Sequence, residues 1–281
     1  MVVTGASSGI GRATAEALGA TGFHVLAGVR SDADGDRVGG AVGVEPVIVD
    51  ITRPDDVSAL AERVGELAGV RGLSALVNNA GIAVNAPVET LPMAEWRRQF
   101  EVNFFGQVAV TQALLPALLG GSGRVVNVSS IGGRVAGPTF GAYAASKFAL
   151  EAMSDALRRE VAPLGVDVIV IEPGSVATPI WDKGTSTAVD LAESTDPALR
   201  ERYADLEAAM LKRAEAMARG GIPPEAAASV IVRAIRARRP RARYLVGRDA
   251  KVAARVARFL PDRLLDALLA RSVRRSAPAG D

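Results

Sequence analysis

The chain opens with a short apolar run, Met1 to Val3, that leads straight into Gly5-x-x-x-Gly9-x-Gly11 and then into a helical pattern reaching Ala20. No other feature limits the fold so strongly. The backbone of such a turn can approach a phosphate closely, and the helix behind it offers free N–H groups and the positive end of a dipole. The same unit then repeats. Apolar runs at 23–30 (FHVLAGVR), 44–52 (VEPVIVDIT), 75–81 (ALVNNAG), 123–130 (GRVVNVSS) and 166–174 (VDVIVIEPG) alternate with helix-patterned segments. This alternation calls for a doubly wound α/β fold with a parallel sheet and right-handed crossovers. A helix entered through Pro223 and Pro224, followed by RYLVG at 243–247, predicts a seventh strand. We therefore expect a single Rossmann domain over 1–248 with a seven-stranded parallel sheet. A length of 281 residues also permits two smaller domains, but no repeat or low-complexity linker divides the chain. Because the first run is so short, the native start is expected a few residues upstream of Met1.

In open parallel sheets ligands bind at the carboxyl ends of the strands. The turn from Gly5 through Ser7, Ser8, Gly9, Ile10 and Gly11 is the expected cradle for a dinucleotide pyrophosphate. The second apolar run ends in Arg30 and Ser31, with no carboxylate until Asp32. An acidic residue here would hold ribose hydroxyls, whereas a basic one accepts a 2′-phosphate. The cofactor expected is NADP(H) in preference to NAD(H). Arg12 either adds to that phosphate pocket or is an exposed helix residue. Asp50, with Ile51 beside it, could accept from an adenine amino group or serve as a turn or N-cap aspartate. Asn79, Ala80 and Gly81 end the fourth run with small residues and an amide, which would let a cofactor lie close. Pro173 and Gly174 end the sixth.

Tyr143 and Lys147 are four residues apart on a predicted helix and so share a face. An ammonium there favours the phenolate by charge proximity and brings proton exchange closer to neutral pH. Alone, the pair is a common accident of helix surfaces; the serine at the end of the preceding strand, Ser130, gives it a setting. Asn103 falls inside the helical run 93–119, where an unpaired amide among apolar neighbours is costly, and it predicts a kink or a bound water. Trp96, Phe100, Phe104 and Phe105 read as core or interface. The absence of cysteine excludes disulfides and thiolate metal sites. His24, the single histidine, reads as a satisfied structural residue in an apolar strand, and no metal is expected.

The net charge is +2, yet arginines crowd 233–275. A basic tail can meet nucleic acid or an anionic membrane. The reading preferred is a solvated face of amphipathic helices, since Leu260, Leu264, Leu265, Leu268 and Leu269 recur at helical spacing over 249–281. Their apolar face packs on the domain itself, or serves as a lid, a subunit interface or a peripheral membrane contact. Nucleic acid is not expected as a partner. Residues 175–222, polar and rich in Ala and Glu around Trp181, have the length of a functional lid. No signal peptide or uninterrupted apolar span stands out, so a cytoplasmic protein is expected.

Taken together, TGASSGIG at 4–11, NNAG at 78–81, Asn103, Ser130, YAASK at 143–147 and PG at 173–174 resemble the short-chain dehydrogenase/reductase superfamily. Order and spacing agree over roughly residues 1 to 247. The Arg30-Ser31 pair and the Arg-rich section with Leu-rich helices behind it are similar to the 17β-hydroxysteroid and retinol dehydrogenase branch. The resemblance implies an NADP(H)-dependent oxidoreductase interconverting a ketone or aldehyde and an alcohol on a lipophilic small molecule, steroid-, retinoid- or aliphatic-like. It implies Tyr143 as general acid/base, Lys147 lowering its pKa and binding the nicotinamide ribose, Ser130 holding the substrate oxygen, and Asn103 supporting a proton relay. Thr178, with Val176 beside it, would orient the nicotinamide carboxamide. A homodimer or homotetramer is expected. The competing expectation is a catalytically silent dinucleotide-binding regulator or scaffold of the same fold.

Overall fold

The computed structural model describes residues 1–274. Its sheet holds β1 (Val2–Val3), β2 (Val25–Val29), β3 (Val44–Ile48), β4 (Ala75–Asn78), β5 (Arg124–Val128), β6 (Asp167–Pro173) and β7 (Arg243–Val246), in the order β3-β2-β1-β4-β5-β6-β7. Every pairing is parallel. The winding direction reverses between β1 and β4, which is where such sheets open a ligand crevice.

The strands read as continuous apolar runs because both faces are covered. Val3, Ala27, Val77, Val126 and Ile169 join one core with residues of α1 (Gly9–Ala20) and α9 (Pro224–Arg236). Their neighbours Val2, Leu26, Leu76, Val125 and Val168 join a second core with α3 (Pro54–Ala68), α5 (Gly106–Gly120) and the end of α6 (Gly141–Val161). A period of two thus places alternate residues in different cores.

The run from α4 (Met93–Phe100) to α5 is long and apolar enough to cross a bilayer by length and composition, but its most apolar window is 39% buried in the fold. It is interrupted by a π-helical turn, Glu101–Phe105, centred on Asn103. At the residue for which the sequence predicts a kink or a bound water, the structure thus shows a change of helical pitch. Buried Gln99, Asn103 and Gln107 bond to the backbone of 80–84, so the polar side of this helix is turned into the protein. Phe105 is exposed and Trp96 packs on a small cluster around Val84 and Leu91.

After β6 the chain leaves the sheet for α7 (Ile180–Glu193) and α8 (Pro197–Gly220). This helical pair is closed at its base by Ala177 N–H to Ile222 O, 2.9 Å, and Ile222 N–H to Ser175 O, 3.0 Å. Beyond β7, α10 (Arg248–Phe259) packs on that strand and α11 (Asp262–Arg274) packs on α8. Leu265 and Leu269 are half-buried, whereas Leu264 and Leu268 stay exposed, so the tail covers part of its apolar face with its own chain. The remainder of the expected extension, 275–281, lies outside the described residues.

Candidate active site

The glycine turn is held from below. Thr4 Oγ1 accepts from the N–H groups of Asn79 (3.0 Å) and Ala80 (3.1 Å), while the Asn79 amide donates to the carbonyls of Thr4 and Gly5, 3.0 Å each. The Asn79 side chain therefore fastens the turn to β4, while the residue also lines the cavity, as expected. Gly5 has φ +63° and a Cβ there would stand 2.7 Å from Ala80 Cα. Gly9 has φ +55°, and its Cβ would stand 2.9 Å from Thr178 Cγ2. Only glycine lets the turn lie against both β4 and the segment after β6.

Ser8 is the N-cap of α1, but its side chain makes no cap hydrogen bond and the first turn carries no acidic residue. An uncapped helix N-terminus facing a cavity is an anion site by construction. The same cavity is lined by Gly5, Ser7, Ser8, Gly9 and Ile10, by Arg30, Asp50 and Ile51, by Asn79, Ala80 and Gly81, and by Pro173, Gly174, Val176 and Thr178. These residues fit a dinucleotide: the uncapped N-terminus suits its pyrophosphate and the glycines leave room for it.

Two expected contacts lie outside the cavity lining, and Arg12 takes the second of its two expected roles. Gly11 does not line the cavity; it is buried beneath it, and a Cβ would stand 2.3 Å from both Asn79 Nδ2 and Gly5 O. Ser31 is the N-cap of α2 (Asp32–Val38), accepting from Asp34 N–H at 3.2 Å, and is also outside the lining. Arg12 is an exposed helix residue bonded to Glu16 at 2.7 Å. Asp50 has the turn role, accepting from Thr52 N–H (2.9 Å) and Oγ1 (2.7 Å), while Arg53 takes the N-cap position of α3. His24 sits just ahead of β2, half-exposed, and is satisfied by Glu45 at 2.8 Å.

Asn103, Ser130, Tyr143 and Lys147 all line the cavity at the carboxyl ends of β4 and β5. Ser130 caps a short 3₁₀ turn, its Oγ accepting from Gly132 N–H at 3.0 Å, and its hydroxyl is hydrogen-bonded with Tyr143. Asn103 Oδ1 accepts from Ile82 N–H (2.8 Å), and its Nδ2 donates to Ile82 O (3.0 Å) and Ser146 Oγ (3.3 Å). Lys147 Nζ donates to Val128 O at 2.9 Å and lies 6.0 Å from the Tyr143 ring centre.

The electrostatics reverse one expectation. Tyr143 is buried, and burial pushes its phenol above the usual range while the Ser130 hydrogen bond pulls the other way. Burial likewise takes the Lys147 ammonium down to about 8, with the Glu151 carboxylate holding it up. In the protein alone, desolvation of both groups outweighs the charge proximity that the i,i+4 spacing promised.

Behind these residues lies an ionic network that the sequence pattern did not flag. Glu172 of β6, fully buried, accepts from Arg134 Nε at 2.6 Å, and Arg243 Nε stands 3.4 Å from the same oxygen. Arg243 also pairs with Glu151 (3.1 Å) and Asp155 (3.0 Å) of α6. Burial first, then the neighbouring Glu151 carboxylate, pushes the Glu172 carboxyl well above the usual range. The network joins the loop that follows Ser130, the helix carrying Tyr143 and Lys147, and the strand ending in Pro173. Asp249 of α10 extends this tethering, its Oδ2 accepting from Ser175 N–H at 2.6 Å; a Cβ on Gly174 would stand 2.3 Å from that carboxylate.

The other side of the cavity is aromatic and apolar. Phe140 meets Tyr143 edge-on at 6.2 Å and Trp181 at 6.4 Å. Trp181 Nε1 donates to Val176 O at 2.8 Å. Trp181 and Lys183 line the cavity too, although only the aromatic residue in a polar segment could have hinted at this from sequence.

Comparison with known proteins agrees with this geometry. Residues 1–188 match the family model described as short chain dehydrogenase. The chain belongs to the short-chain dehydrogenase family. As a member of that family it is an NAD(P)-dependent oxidoreductase with a Rossmann fold. It is 37% identical to the NADPH-dependent 3-dehydrocapnine reductase of Ornithobacterium rhinotracheale, over 98% of this chain and 97% of that protein. It is 38% identical to mouse retinol dehydrogenase 5, over 95% of this chain and 86% of the relative. Among solved short-chain dehydrogenases, one from Burkholderia cenocepacia in complex with NADP superposes with a TM-score of 0.71 at 28% identity, covering 96% of this chain and 95% of that one. Another from Burkholderia phymatum, in complex with NAD, gives 0.77 at 26% identity, covering 96% and 94%.

Proposed function

We propose that this short-chain dehydrogenase interconverts a carbonyl group and an alcohol on a lipophilic small molecule, with NADP(H) as the preferred cofactor and Tyr143 as the proton donor and acceptor. One observation carries the reading: Tyr143, hydrogen-bonded with Ser130 and one helical turn from Lys147, lines the same cavity as an uncapped glycine-turn helix terminus.

When bound, the nicotinamide supplies or takes up the hydride. Ser130 holds the substrate oxygen beside the phenol. In reduction Tyr143 passes its proton to that oxygen, and in oxidation it takes the proton back. Lys147 holds the ribose side of the cofactor and places a positive charge where a phenolate forms, so its influence is exerted as charge develops. Asn103 clamps Ile82 and keeps the wall beyond β4 in place, next to the route by which the proton is replaced. General acid/base help is worth about 10²–10⁴-fold. Tyr143→Phe should lose turnover on that scale while NADPH binding persists; near-normal turnover would refute the assignment. A silent scaffold is not favoured, because Asn103, Ser130, Tyr143 and Lys147 share one cavity.

The cofactor preference rests on Arg30, which lines the cavity at the end of β2, is exposed, and lies near enough to Asp50 to help draw its carboxyl down. The NADPH-dependent reductase relative points the same way. Arg30→Ala should shrink the ratio of NADPH to NADH affinity, and equal affinities in the unaltered protein would sink the argument. We place the reaction in the cytoplasm, in keeping with the bacterial relatives. Exposed Phe105 and Phe148 (52% and 44%), in the π turn and on α6, fit a homodimer or homotetramer joined through these helices.

A further inference from the structure

Beside the reaction cavity, between α7, α8 and the loop before α6, lies a second cavity of about 310 Å³. Phe140 belongs to its wall and also meets Tyr143 and Trp181, while α7 contributes to both cavities. Thr139, at φ +63°, turns the chain so that Phe140 stands between the two. The lining is mainly Ala, Val, Leu and Met, which suits an apolar body.

Polar groups interrupt that lining: Asn85, Glu193, Arg200 and Glu207, with Thr139 and Thr185. Asn85 Oδ1 is buried without a hydrogen-bond partner among the described residues. Glu207, half-buried on α8, has no hydrogen bond or ion pair among the described residues, and burial shifts its carboxyl upward against a weaker pull from Arg200. Glu193 of α7 lines the same cavity and likewise has no hydrogen bond or ion pair among the described residues, whereas Glu89 is answered by Tyr203 and Arg202 at 2.7 Å each and Asp196 by Ala198 N–H at 2.9 Å. A buried amide oxygen without a donor is costly, and a half-buried carboxylate at a largely apolar wall is less well solvated than a free one, so a ligand donor there stabilises both.

We infer that this cavity receives the far end of the substrate, and that Glu207, with Asn85 nearer Phe140, reads a hydrogen-bond donor there: a hydroxyl or protonated amine at the distal end of an elongated apolar carbonyl compound. The inference deepens the carbonyl–alcohol reading above and rests on it for the reacting end of the ligand. A donor at that end satisfies a group the protein leaves unsatisfied, whereas a plain alkyl end does not. An acidic end would meet two carboxylates, Glu193 and Glu207, against the one cation of the lining, Arg200.

The test uses the full chain with NADPH and methyl ketones of one chain length ending in methyl, hydroxyl, ammonium or carboxylate. Affinity is read by calorimetry and turnover separately by NADPH absorbance. The hydroxyl and ammonium probes should bind roughly 10- to 100-fold more tightly than the methyl probe, and the carboxylate probe most weakly. Glu207→Gln should remove most of the ammonium advantage and keep part of the hydroxyl advantage; Glu207→Leu should remove both. Circular dichroism melting reports whether each variant is folded, and if the Leu variant is not, the ammonium arm with Glu207→Gln decides. A methyl probe that binds as well as the donors, an ammonium advantage that survives Glu207→Gln, or no binding of any probe overturns the inference. Donor-selective, Glu207-dependent binding without turnover would uphold the cavity assignment and refute the carbonyl chemistry; turnover without that selectivity would do the reverse.

Discussion

On its sheet side the reaction cavity is walled by Lys147, bonded to Val128, and Asn103, bonded to Ile82, with Glu172 paired to Arg134 and Arg243 behind them. Across the cleft, α7 and α8 present aromatic and aliphatic side chains and two carboxylates, Glu193 and Glu207, with no hydrogen bond or ion pair among the described residues. The first wall holds reacting groups in place, which demands fixed geometry. The second meets a variable ligand body, which demands mainly shape and apolar surface. Function on one scaffold is thus divided between a tethered chemical side and a lightly tethered recognition side.

That division predicts unequal responses to mutation. Arg243→Ala leaves Glu151 and Glu172 without one of their cations, and removing a partner of a buried pair costs about 3–5 kcal/mol. The melting temperature should fall by roughly 2–4 °C per kcal/mol for a chain of this size. A fall of only a degree or so would show that the sheet-side network does not set the rigidity we ascribe to it.

Lys147→Met sharpens the contrast through pH. The folded Lys147 pKa is lowered from 10.5 to about 8, so the folded protein binds fewer protons than the unfolded chain between those values. Stability from this group therefore rises as pH rises from about 8 past 10.5. The full rise is on the order of 3 kcal/mol. Tyr143, whose folded pKa is raised, contributes with the opposite sign, so the difference between the unaltered protein and the Met variant isolates the lysine. Denaturation curves across pH 7 to 11 should diverge in that sense; parallel curves would mean that the ammonium is not desolvated.

On the lid side Asp196→Ala removes the cap of α8 and costs about 1 kcal/mol. Hydrogen exchange should quicken in α8 while β5 and β6 stay protected. If the sheet strands loosened equally, the two walls would not be separable units.

The alternation of strands and helices, the glycine turn and the order of Ser130, Tyr143 and Lys147 were readable because each is a local pattern. Val2 and Val3 enter different cores simply by succession along a strand. The change of helical pitch at Asn103 falls where the cost of an amide in an apolar helix predicts a kink or a bound water. Other features were not readable in this way. Asn79 lines the cavity as its position suggests, but that its amide also fastens the turn by bonding Thr4 and Gly5, more than 70 positions away, has no local signal. Ser31 looked like a cofactor contact, and it caps a helix.

The sequence by itself determined the fold class, the edge of the sheet where chemistry collects and the family, because backbone conformation, hydrophobic period and turn chemistry act over a few residues. Only the tertiary structure decided that burial outweighs charge proximity at Tyr143 and Lys147, that Arg134, Glu151, Glu172 and Arg243 converge, and that Glu207 faces an apolar cavity without a partner. Desolvation and long-range pairing depend on what the whole chain packs around a group, and no spacing along the sequence encodes that.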